Sequence, residues 1–338
     1  MSSIEPALKL WGLIQSHRVT AVIYVAAKLG IAELLRDGPK SLAELAQATR
    51  ADRHSLCRLL IALSTVGVCM PVAEERYSLT EMGAALDGTA EPSFKASAIF
   101  ESQMLSPSWN GLLESIMTGK TSAQLQGVDD AFDLMAQAPE KVAIFNAAMV
   151  DLTRFVTPDI LRAYDFGGVT HLMDVGGGSG ELIGAIAKQC PHIQGTVFDL
   201  PRCAESANSH FARIGVGDRT EFLTGDFFDA IPSVADAIVM KSVIHDWNDE
   251  RSLVILENCR RALPDNGRIL LVERLMPEVP GVSEEDKEQA LSDLNMLRGP
   301  GGLERTEKQY RRLVAEAGFG NAVIYPAGLF SVIEARVR

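Results

Sequence analysis

The sequence lacks any apolar run that approaches the roughly 18 residues needed to cross a bilayer as a helix. The N-terminal stretch MSSIEPALKLWGLIQSHRV carries charges at Glu5 and Lys9 and has neither the apolar core nor the cleavage site of a signal peptide. Cysteine is scarce as well: the chain has five, an odd number, with no C-x-x-C pair, which is typical of free thiols in a reducing compartment. These absences predict a soluble protein of the cytoplasm that does not associate with membranes.

Positive charge is also in short supply. The chain has 32 Lys and Arg against 44 Asp and Glu, a formal net charge of −12, so no nucleic-acid partner is expected unless cations concentrate on one face.

No H-E-x-x-H pair or comparable ligand spacing is present, and we therefore expect no metal site. The remaining composition, 47% hydrophobic and 22% charged over 338 residues, is typical of a soluble globular protein with two or three domains.

The first 100 residues or so have the pattern of a small helical domain. Apolar residues follow helical spacing from Ala7 to Leu35, which predicts one long helix whose apolar face is covered within the chain or by a second copy. The capping-box sequence S-L-A-E starts a predicted helix over about 42–48. A second helix over about 53–66 and a hairpin from Val68 to Leu79 complete a pattern that indicates a winged-helix-like fold.

Winged helices often bind DNA, but this one lacks the charge for it. Between residues 38 and 88 the sequence has five basic and six acidic residues, and the helix that would enter the major groove carries only Arg53 and Arg58. A DNA-binding face needs several cations on one side. For the N-terminal domain, a role in a transcriptional regulator is therefore the weaker alternative, and a dimerisation module is favoured.

From about residue 165 short apolar runs alternate with helical segments. This alternation is typical of an α/β fold, in which helices cover both faces of a mostly parallel sheet. We predict strands over 171–175, 195–199, 220–223, 235–241, 268–272, 321–325 and 330–337, and helices over 181–189, 202–214, 249–263 and about 305–317. Ligands of such sheets bind outside the carboxyl ends of the strands, so the residues that follow each strand are the site candidates.

The first strand of this half ends in the glycine-rich sequence DVGGGSG. Glycines at alternate positions, Gly176, Gly178 and Gly180, allow a tight turn and the close approach of a ligand to the next helix. The sequence fits neither the dinucleotide fingerprint G-x-G-x-x-G nor a P-loop, and a tight turn without a ligand stays open as an alternative. The second strand ends at Asp199, where an acidic residue can accept hydrogen bonds from ribose hydroxyls. This favours an adenosyl ligand.

The following strand ends carry aromatic and acid–base groups. GDFF supplies Asp226 for an adenine amine and Phe227 for the base, although one phenylalanine of this motif is expected to be ordinary core. The fourth strand ends in SVIHDWND, where His245 is a general-base candidate because an imidazole pKa near 6.5 suits proton abstraction near neutral pH. Glu273 ends the fifth strand and Glu304 lies in GGLERTE. Either could hold the second ring nitrogen of His245, as the carboxylate of a catalytic triad does.

Together, DVGGGSG, VFDLP, GDFF, HDWND and GGLERTE resemble the motif set of the small-molecule O-methyltransferases. This S-adenosylmethionine-dependent family includes plant caffeate and acetylserotonin enzymes and bacterial enzymes that act on phenazines, anthracyclines and mitomycins. The resemblance covers nearly the whole chain. It implies a class I methyltransferase domain with a Rossmann-like sheet over 166–338, a helical linker over 101–165 that lines the acceptor pocket, and a winged-helix-like dimerisation domain over 1–100, hence a homodimer.

The resemblance also implies a role for each matching residue. The base would be His245, flanked by Glu273 and Glu304. S-adenosylmethionine would be bound by Gly176, Gly178, Asp199, Leu200, Asp226, Phe227, Lys241 and Thr153. The acceptor, a small aromatic compound, would lie against Phe145, Met149, Asp246, Asp293, Met296 and Trp109.

The implied reaction is methyl transfer to a hydroxyl of a small aromatic or polycyclic metabolite, with S-adenosylhomocysteine as the product. Residues 100–130 depart from the plant enzymes, so phenylpropanoid specificity is not implied. The alternatives are methylation of nitrogen or carbon, or a relative that binds the cofactor and performs hydroxylation, decarboxylation or a pericyclic reaction. Retention of His245, Glu273 and Glu304 favours methyl transfer.

Overall fold

The computed structural model describes residues 4–338 of the chain. They divide into two compact units: the first runs to Asn110 and includes Ala138–Phe155, and the second comprises Gly111–Gln137 and Val156–Arg338. The segment 101–165, predicted as a linker, is shared between these units. One long helix, Pro139–Ala163, contributes residues to both.

The first unit is mostly helical and contains one small antiparallel sheet of strand order β1-β3-β2. The predicted capping box is present at the start of α4, and the predicted hairpin is formed by β2 and β3. Its elements in chain order are α1 (Glu5–Ile14), α2 (His17–Leu29), α3 (Ile31–Leu35), β1 (Lys40–Ser41), α4 (Leu42–Thr49), α5 (Arg53–Thr65), β2 (Cys69–Ala73), β3 (Arg76–Leu79), α6 (Glu81–Ala84), α7 (Lys95–Phe100), a π-helical segment Glu101–Leu105, and α8 (Ser106–Trp109).

The single long helix predicted over Ala7–Leu35 is wrong, because three helices occupy this stretch. α1 ends at Ile14, and Gly30 separates α2 from α3 with a φ of +67° that a right-handed helix cannot continue. Every residue of α1 lies outside the core of the described chain, and its five large apolar side chains are each more than half exposed. Apolar spacing alone did not reveal these interruptions, since the stripe continues across them.

The second unit contains the remaining elements. These are α9 (Leu112–Thr118), α10 (Ala131–Ala136), the end of α11 (Pro139–Ala163), β4 (His171–Val175), α12 (Glu181–Gln189), β5 (Gln194–Asp199), α13 (Ala204–Ile214), β6 (Thr220–Thr224), β7 (Ala237–Lys241), α14 (Asp249–Ala262), β8 (Arg268–Glu273), β9 (Leu275–Met276), α15 (Glu284–Arg298), β10 (Arg305–Thr306), α16 (Glu307–Glu316), β11 (Val323–Ala327) and β12 (Phe330–Arg336), with 3-10 turns Gln124–Gln126, Phe166–Gly168, Pro201–Cys203 and Ile244–Asp246. No helix within residues 4–338 is both long enough and apolar enough to span a bilayer. All five cysteines carry free thiols, and three of them are buried.

Seven strands of this unit form one sheet in the order β11-β12-β8-β7-β4-β5-β6. Its strands are parallel except for β12, which pairs antiparallel with both β8 and β11. This confirms the predicted α/β fold with a mostly parallel sheet. The chain builds outward from β4 to β6 and then returns to place β7 on the other side of β4, so the order reverses between β4 and β7. Ligands of doubly wound sheets bind at such a reversal.

A second, two-stranded sheet lies beyond the end of β8. In it β9 and β10 run parallel, with Leu275 opposite Arg305 and Met276 opposite Thr306. This pairing places the chain that follows Glu273 beside the chain that follows Glu304. The sequence did not predict it, because strands of two residues produce no detectable alternation.

The glycine-rich loop ends at Gly180, and a substitution there tests how closely the loop packs against Phe211. Gly180 has φ +75°, and an added Cβ would lie 2.6 Å from two ring atoms of Phe211. Gly215 has the same φ, but an added Cβ would meet nothing within 4 Å. Since both substitutions carry the left-handed penalty, we expect Gly180→Ala to lower the free energy of unfolding by about 1–3 kcal/mol more than Gly215→Ala, the cost of overpacking. Urea unfolding followed by circular dichroism measures both values, and equal losses would contradict the close packing of Phe211.

Candidate active site

The glycine-rich loop lies at the carboxyl end of β4 and is closely packed at Gly176, Gly177 and Gly180 but not at Gly178. A Cβ added at Gly177 would lie 2.6 Å from the carboxylate carbon of Asp174. At Gly178, which has φ +56°, an added Cβ would meet no atom within 4 Å. The loop therefore packs down on Asp174 and leaves open space beside Gly178, as a ligand-binding turn requires.

Asp199, at the end of β5, is bonded to this loop. Its Oδ2 accepts a hydrogen bond from the Gly178 N–H at 2.8 Å, and its Oδ1 accepts one from the Leu200 N–H at 2.6 Å. Burial raises the pKa of the Asp199 carboxyl, and the two backbone donors oppose that shift. The Cys203 thiol is a third donor to Asp199. Because an ionised carboxylate has about four lone-pair sites, Asp199 retains acceptor capacity for a ligand hydroxyl.

Aromatic side chains cluster in the loops that follow β6 and β7. The rings of Phe227 and Phe228 lie 5.0 Å apart, and Trp247 lies 4.8 Å from Phe228. The guanidinium of Arg251 lies over both Phe228 and Trp247, at 4.3 and 4.2 Å from the ring centroids. Asn258 Nδ2 donates to the carbonyl oxygens of Phe227 and Phe228 at 2.8 and 3.1 Å. Both phenylalanines pack against the core, whereas the sequence predicted that only one would.

Two further candidates of the nucleotide side lie just after β6 and at the end of β7. Asp226 is exposed and accepts a hydrogen bond from the Phe228 N–H at 2.8 Å. Lys241 ends β7 and is half-buried; burial lowers its pKa, and the carboxylates of Asp174 and Glu273 act in the opposite direction. Burial also raises the pKa of Asp174 to about 7.

His245 lies in the 3-10 turn that directly follows β7, and its side chain is 12% exposed. Its Nδ1 lies 3.0 Å from Glu304 Oε1 and 3.9 Å from Glu273 Oε2. Its Nε2 lies 3.6 Å from Asp246 Oδ1. The structure thus assigns the ring hydrogen bond to Glu304, one of the two alternatives left open by the sequence.

Glu273 has a different set of contacts. It is fully buried, and its Oε1 accepts hydrogen bonds from the backbone N–H groups of Val243 and Ile244 at 3.2 and 2.9 Å. Within the described residues its Oε2 has no hydrogen-bond partner and faces His245 Nδ1. Glu273 therefore holds the turn that carries His245 and adds negative charge beside the ring.

Glu304 is itself oriented by α15. Ser292 Oγ donates to Glu304 Oε1 at 2.7 Å, and the Glu304 N–H donates to Asp293 Oδ1 at 2.9 Å. Sequence reasoning missed Ser292, because a helical serine has no distinguishing signal. Asp293 was expected beside the acceptor, and one of its carboxylate oxygens is used here on the backbone of Glu304.

The electrostatics of this cluster favour a protonated imidazole. Burial alone would lower the pKa of His245, but the carboxylates of Glu273, Asp246 and Glu304 outweigh it and raise the pKa to about 9. Burial raises the pKa of Glu273 to about 7 and that of Asp246 to about 6. Burial also acts to raise the pKa of Glu304, but the hydrogen bonds from His245 and Ser292 outweigh burial, so the pKa of Glu304 is lowered. His245 is consequently a stronger base than a free histidine.

The same three side chains lie close enough to share a metal ion. One ligand atom each from His245, Glu273 and Glu304 lies within 4.8 Å of the other two. In the structure, however, His245 Nδ1 and Glu304 Oε1 bind each other, and Glu273 Oε1 binds two backbone N–H groups. The expectation of a metal-free site stays a prediction.

The remaining predicted residues are divided between the units. Trp109 (in α8), Phe145, Met149 and Thr153 (in α11) belong to the first unit, where Thr153 Oγ1 donates to the Met149 carbonyl at 2.7 Å. Met296 is buried in α15 of the second unit. The second unit thus brings together His245, Glu273, Glu304 and Asp246, and separately Gly178, Asp199 and Leu200.

Comparison with known proteins gives matches over both halves of the chain. Residues 109–320 match the O-methyltransferase domain, and residues 11–87 match the O-methyltransferase dimerisation domain. Phenazine O-methyltransferase PhzM of Lysobacter antibioticus is 36% identical over 325 residues, which cover 96% of this chain and 94% of that protein. The 8-amino-8-demethylriboflavin N,N-dimethyltransferase of Streptomyces davaonensis is 33% identical, with coverage of 94% and 92%. Human N-acetylserotonin methyltransferase, solved in complex with S-adenosylmethionine (SAM), superposes with a TM-score of 0.91 at 25% identity over 99% of both chains.

The carboxylates around His245 generate a prediction that does not depend on turnover. Glu304→Gln removes one negative charge and leaves a weaker, neutral acceptor for Nδ1, so we expect the His245 pKa to fall from about 9. NMR titration of labelled histidine measures this value. Glu307→Gln removes the same charge from an exposed side chain and is expected to leave the titration unchanged. A His245 pKa that is identical in wild type and Glu304→Gln would contradict the assigned role of Glu304.

Proposed function

The chain belongs to the O-methyltransferase family, and on that premise we propose that His245 is its general base and that its acceptor is a hydroxyl of a small aromatic or polycyclic metabolite. Family membership makes the protein a SAM-dependent methyltransferase. The observation that carries the role of His245 is the 3.0 Å contact between its Nδ1 and Glu304. A carboxylate in that position keeps the ring proton on Nδ1, so the lone pair is on Nε2.

The cofactor site that we propose is formed at the ends of β4 to β7. It fits a nucleoside with a methionine tail, because the loop is open beside Gly178 and Asp199 retains acceptor capacity for a ribose hydroxyl. The residues of the second unit proposed to bind the cofactor are Gly176, Gly178, Asp199, Leu200, Asp226, Phe227 and Lys241. When bound, SAM supplies an electrophilic methyl group on a positively charged sulfur.

The proton of the acceptor hydroxyl is proposed to move to His245 Nε2. The acceptor oxygen would then be nucleophilic toward the methyl group that bound SAM would supply, with S-adenosylhomocysteine as the leaving group once the methyl–sulfur bond breaks. In the free protein the pKa of His245 is about 9, which favours the imidazolium. The positively charged sulfur of a bound SAM would lower that pKa and so favour the neutral imidazole that a base requires. A positioned base increases the reaction rate about 10²–10⁴-fold. Alignment of the two reactants lowers the activation barrier by about 7–11 kcal/mol, which is a larger effect because about 1.4 kcal/mol corresponds to a tenfold change in rate. Alignment is therefore the larger contribution.

The names of the relatives support an aromatic acceptor. The phenazine enzyme, the riboflavin-derivative enzyme and the N-acetylserotonin enzyme are all named for compounds with fused aromatic rings. We propose that such a compound lies against Asp246 and Met296 of the second unit, and that Asp293 acts there partly through Glu304. The N,N-dimethyltransferase makes an aromatic amine the second candidate acceptor.

The proposal also covers assembly and location. The dimerisation-domain match and the exposed apolar side chains of α1 support a homodimer. Free thiols suit the cytoplasm, and the net charge of −12 argues against a nucleic-acid partner. We propose a reaction without a metal.

Transfer of a labelled methyl group to a panel of phenols and aromatic amines, followed by mass spectrometry, tests the proposed function. We expect fused-ring phenols to give labelled products, and we expect formation of those products to depend on the active-site residues. Labelling of amines alone would favour the second candidate. The absence of any labelled product from either class would contradict the proposed acceptor class.

His245→Gln tests the proposed base. The change removes the proton acceptor but leaves the strand ends of the cofactor site intact, so we expect kcat to fall about 10²–10⁴-fold. Calorimetry with S-adenosylhomocysteine should give an unchanged affinity. A phenol acceptor that is still methylated at the wild-type rate would exclude His245 as the base.

Asp199→Asn tests the proposed ribose contact. A hydrogen bond to a charged acceptor contributes about 1.5–3 kcal/mol, so we expect S-adenosylhomocysteine to bind roughly 10- to 100-fold more weakly. Asp229→Asn changes an exposed aspartate of the next loop and should leave the affinity unchanged. Native affinity in the Asp199 variant, measured by calorimetry, would rule out the ribose assignment.

A further inference from the structure

We propose that Arg305 is a positioning residue, which fixes the backbone of the turn that carries His245 and thereby aligns its imidazole with Glu304. This inference rests on the proposed function of His245 as a base. Sequence analysis did not single out Arg305, because an arginine that precedes a helix is commonly a solvated surface residue.

Arg305 is buried in an unusual way. Only 1% of its surface is exposed, although arginine is almost never fully buried without partners. Its Nη1 donates to the Ile244 carbonyl at 3.0 Å, and its Nη2 donates to the Trp247 carbonyl at 2.8 Å. Nη2 also lies 3.2 Å from Ser252 Oγ, and Nε lies 3.0 Å from Asp249 Oδ1. These four acceptors lie within nine residues of sequence, all in the turn of His245 and the start of α14.

The two carbonyl contacts lie on either side of the base. Ile244 precedes His245, and Trp247 follows the 3-10 turn that contains it. A guanidinium is planar and rigid, so two donors of one fork set the spacing between those carbonyl oxygens. That spacing fixes the curvature of the turn and with it the direction in which the His245 side chain leaves the backbone.

The neighbours of Arg305 contact the same histidine. The Leu303 N–H donates to the His245 carbonyl at 2.9 Å, and Glu304 Oε1 lies 3.0 Å from the ring. A Cβ added at Gly302 would lie 2.0 Å from the His245 carbonyl oxygen, so the two chains are in direct backbone contact. Four consecutive residues, Gly302–Arg305, therefore hold both the main chain and the ring of His245.

This segment is anchored on its other side. Arg305 and Thr306 pair with β9, which directly follows Glu273, and Thr306 begins α16 with a capping box. The frame that holds His245 is thus continuous with the strand end that supplies Glu273. A change in the length or shape of the Arg305 side chain would alter the angle between His245 and Glu304 rather than the cofactor loop.

Arg305→Lys is the primary test, because it retains the charge and removes the fork. A misplacement of about 1 Å can reduce turnover about 10²-fold, so we expect kcat to fall roughly 10- to 100-fold with the KM for SAM unchanged. Arg312→Lys is the matched control: Arg312 contacts Asp249 Oδ2 at 2.7 Å but is exposed and does not reach the His245 turn. It should retain wild-type kcat.

A second readout uses the protein without cofactor. In Arg305→Lys we expect the NMR-measured pKa of His245 to be lower than in wild type, because the hydrogen bond to Glu304 is loosened while the local charge is kept. This measurement does not require an acceptor, so it separates the inference from the proposed function. If the wild type methylates nothing, the titration still decides whether Arg305 aligns the ring.

Ser252→Ala provides a milder variant in case Arg305→Lys does not fold. Ser252 is fully buried, and its hydroxyl lies 3.2 Å from Arg305 Nη2 and 3.2 Å from the Trp247 carbonyl. We expect smaller decreases in kcat and in the His245 pKa, in the same direction. A folded variant, either Arg305→Lys or Ser252→Ala, with wild-type kcat and wild-type His245 pKa would overturn the proposal, as would an equal loss in Arg312→Lys.

Discussion

The hydrogen bond between His245 Nδ1 and Glu304 Oε1 is the contact to which the rest of the site is fitted. Its two residues are 59 positions apart in the chain, and neither is held by its own element alone. The turn of His245 is fastened by Glu273 at the end of β8 and by Arg305, and Glu304 is fastened by two residues of α15. The parallel sheet supplies the common edge at which these segments meet.

This arrangement places more negative than positive charge in a buried site, which is unfavourable for folding unless a cation is present. The imidazolium of His245 partly meets that requirement. Because the folded pKa of His245 is raised, to about 9, its contribution to stability is complete below its unfolded pKa and is lost as pH rises toward 9. Glu273 changes stability in the same direction: burial raises its pKa to about 7, so its ionisation disfavours the folded state and stability falls as pH rises from its unfolded pKa toward 7. The basicity of His245 is therefore linked to the stability of the domain.

Much of the second unit could be predicted from the sequence, because the apolar runs of a parallel sheet and its strand-end motifs are local signals. The strands at 171–175 and 268–273 and the positions of Asp199 and His245 are examples. Arg305, Ser292 and Asn258 were missed because their importance depends on what lies opposite them in three dimensions. The break at Gly30 was missed because the apolar stripe spans it. The choice between Glu273 and Glu304 required distances between separate strands.

The reversal of strand order between β4 and β7 has a consequence for how such enzymes diversify. Groups suited to a nucleoside come mainly from β4 to β6, whereas the imidazole and its carboxylates come from β7, β8 and the segments beyond. Substitutions on one flank can therefore accumulate without disturbing the other. Descendants of a common ancestor could exchange an oxygen nucleophile for a nitrogen one while inheriting the same methyl donor, and the riboflavin-derivative relative, 33% identical to this chain, is consistent with that history.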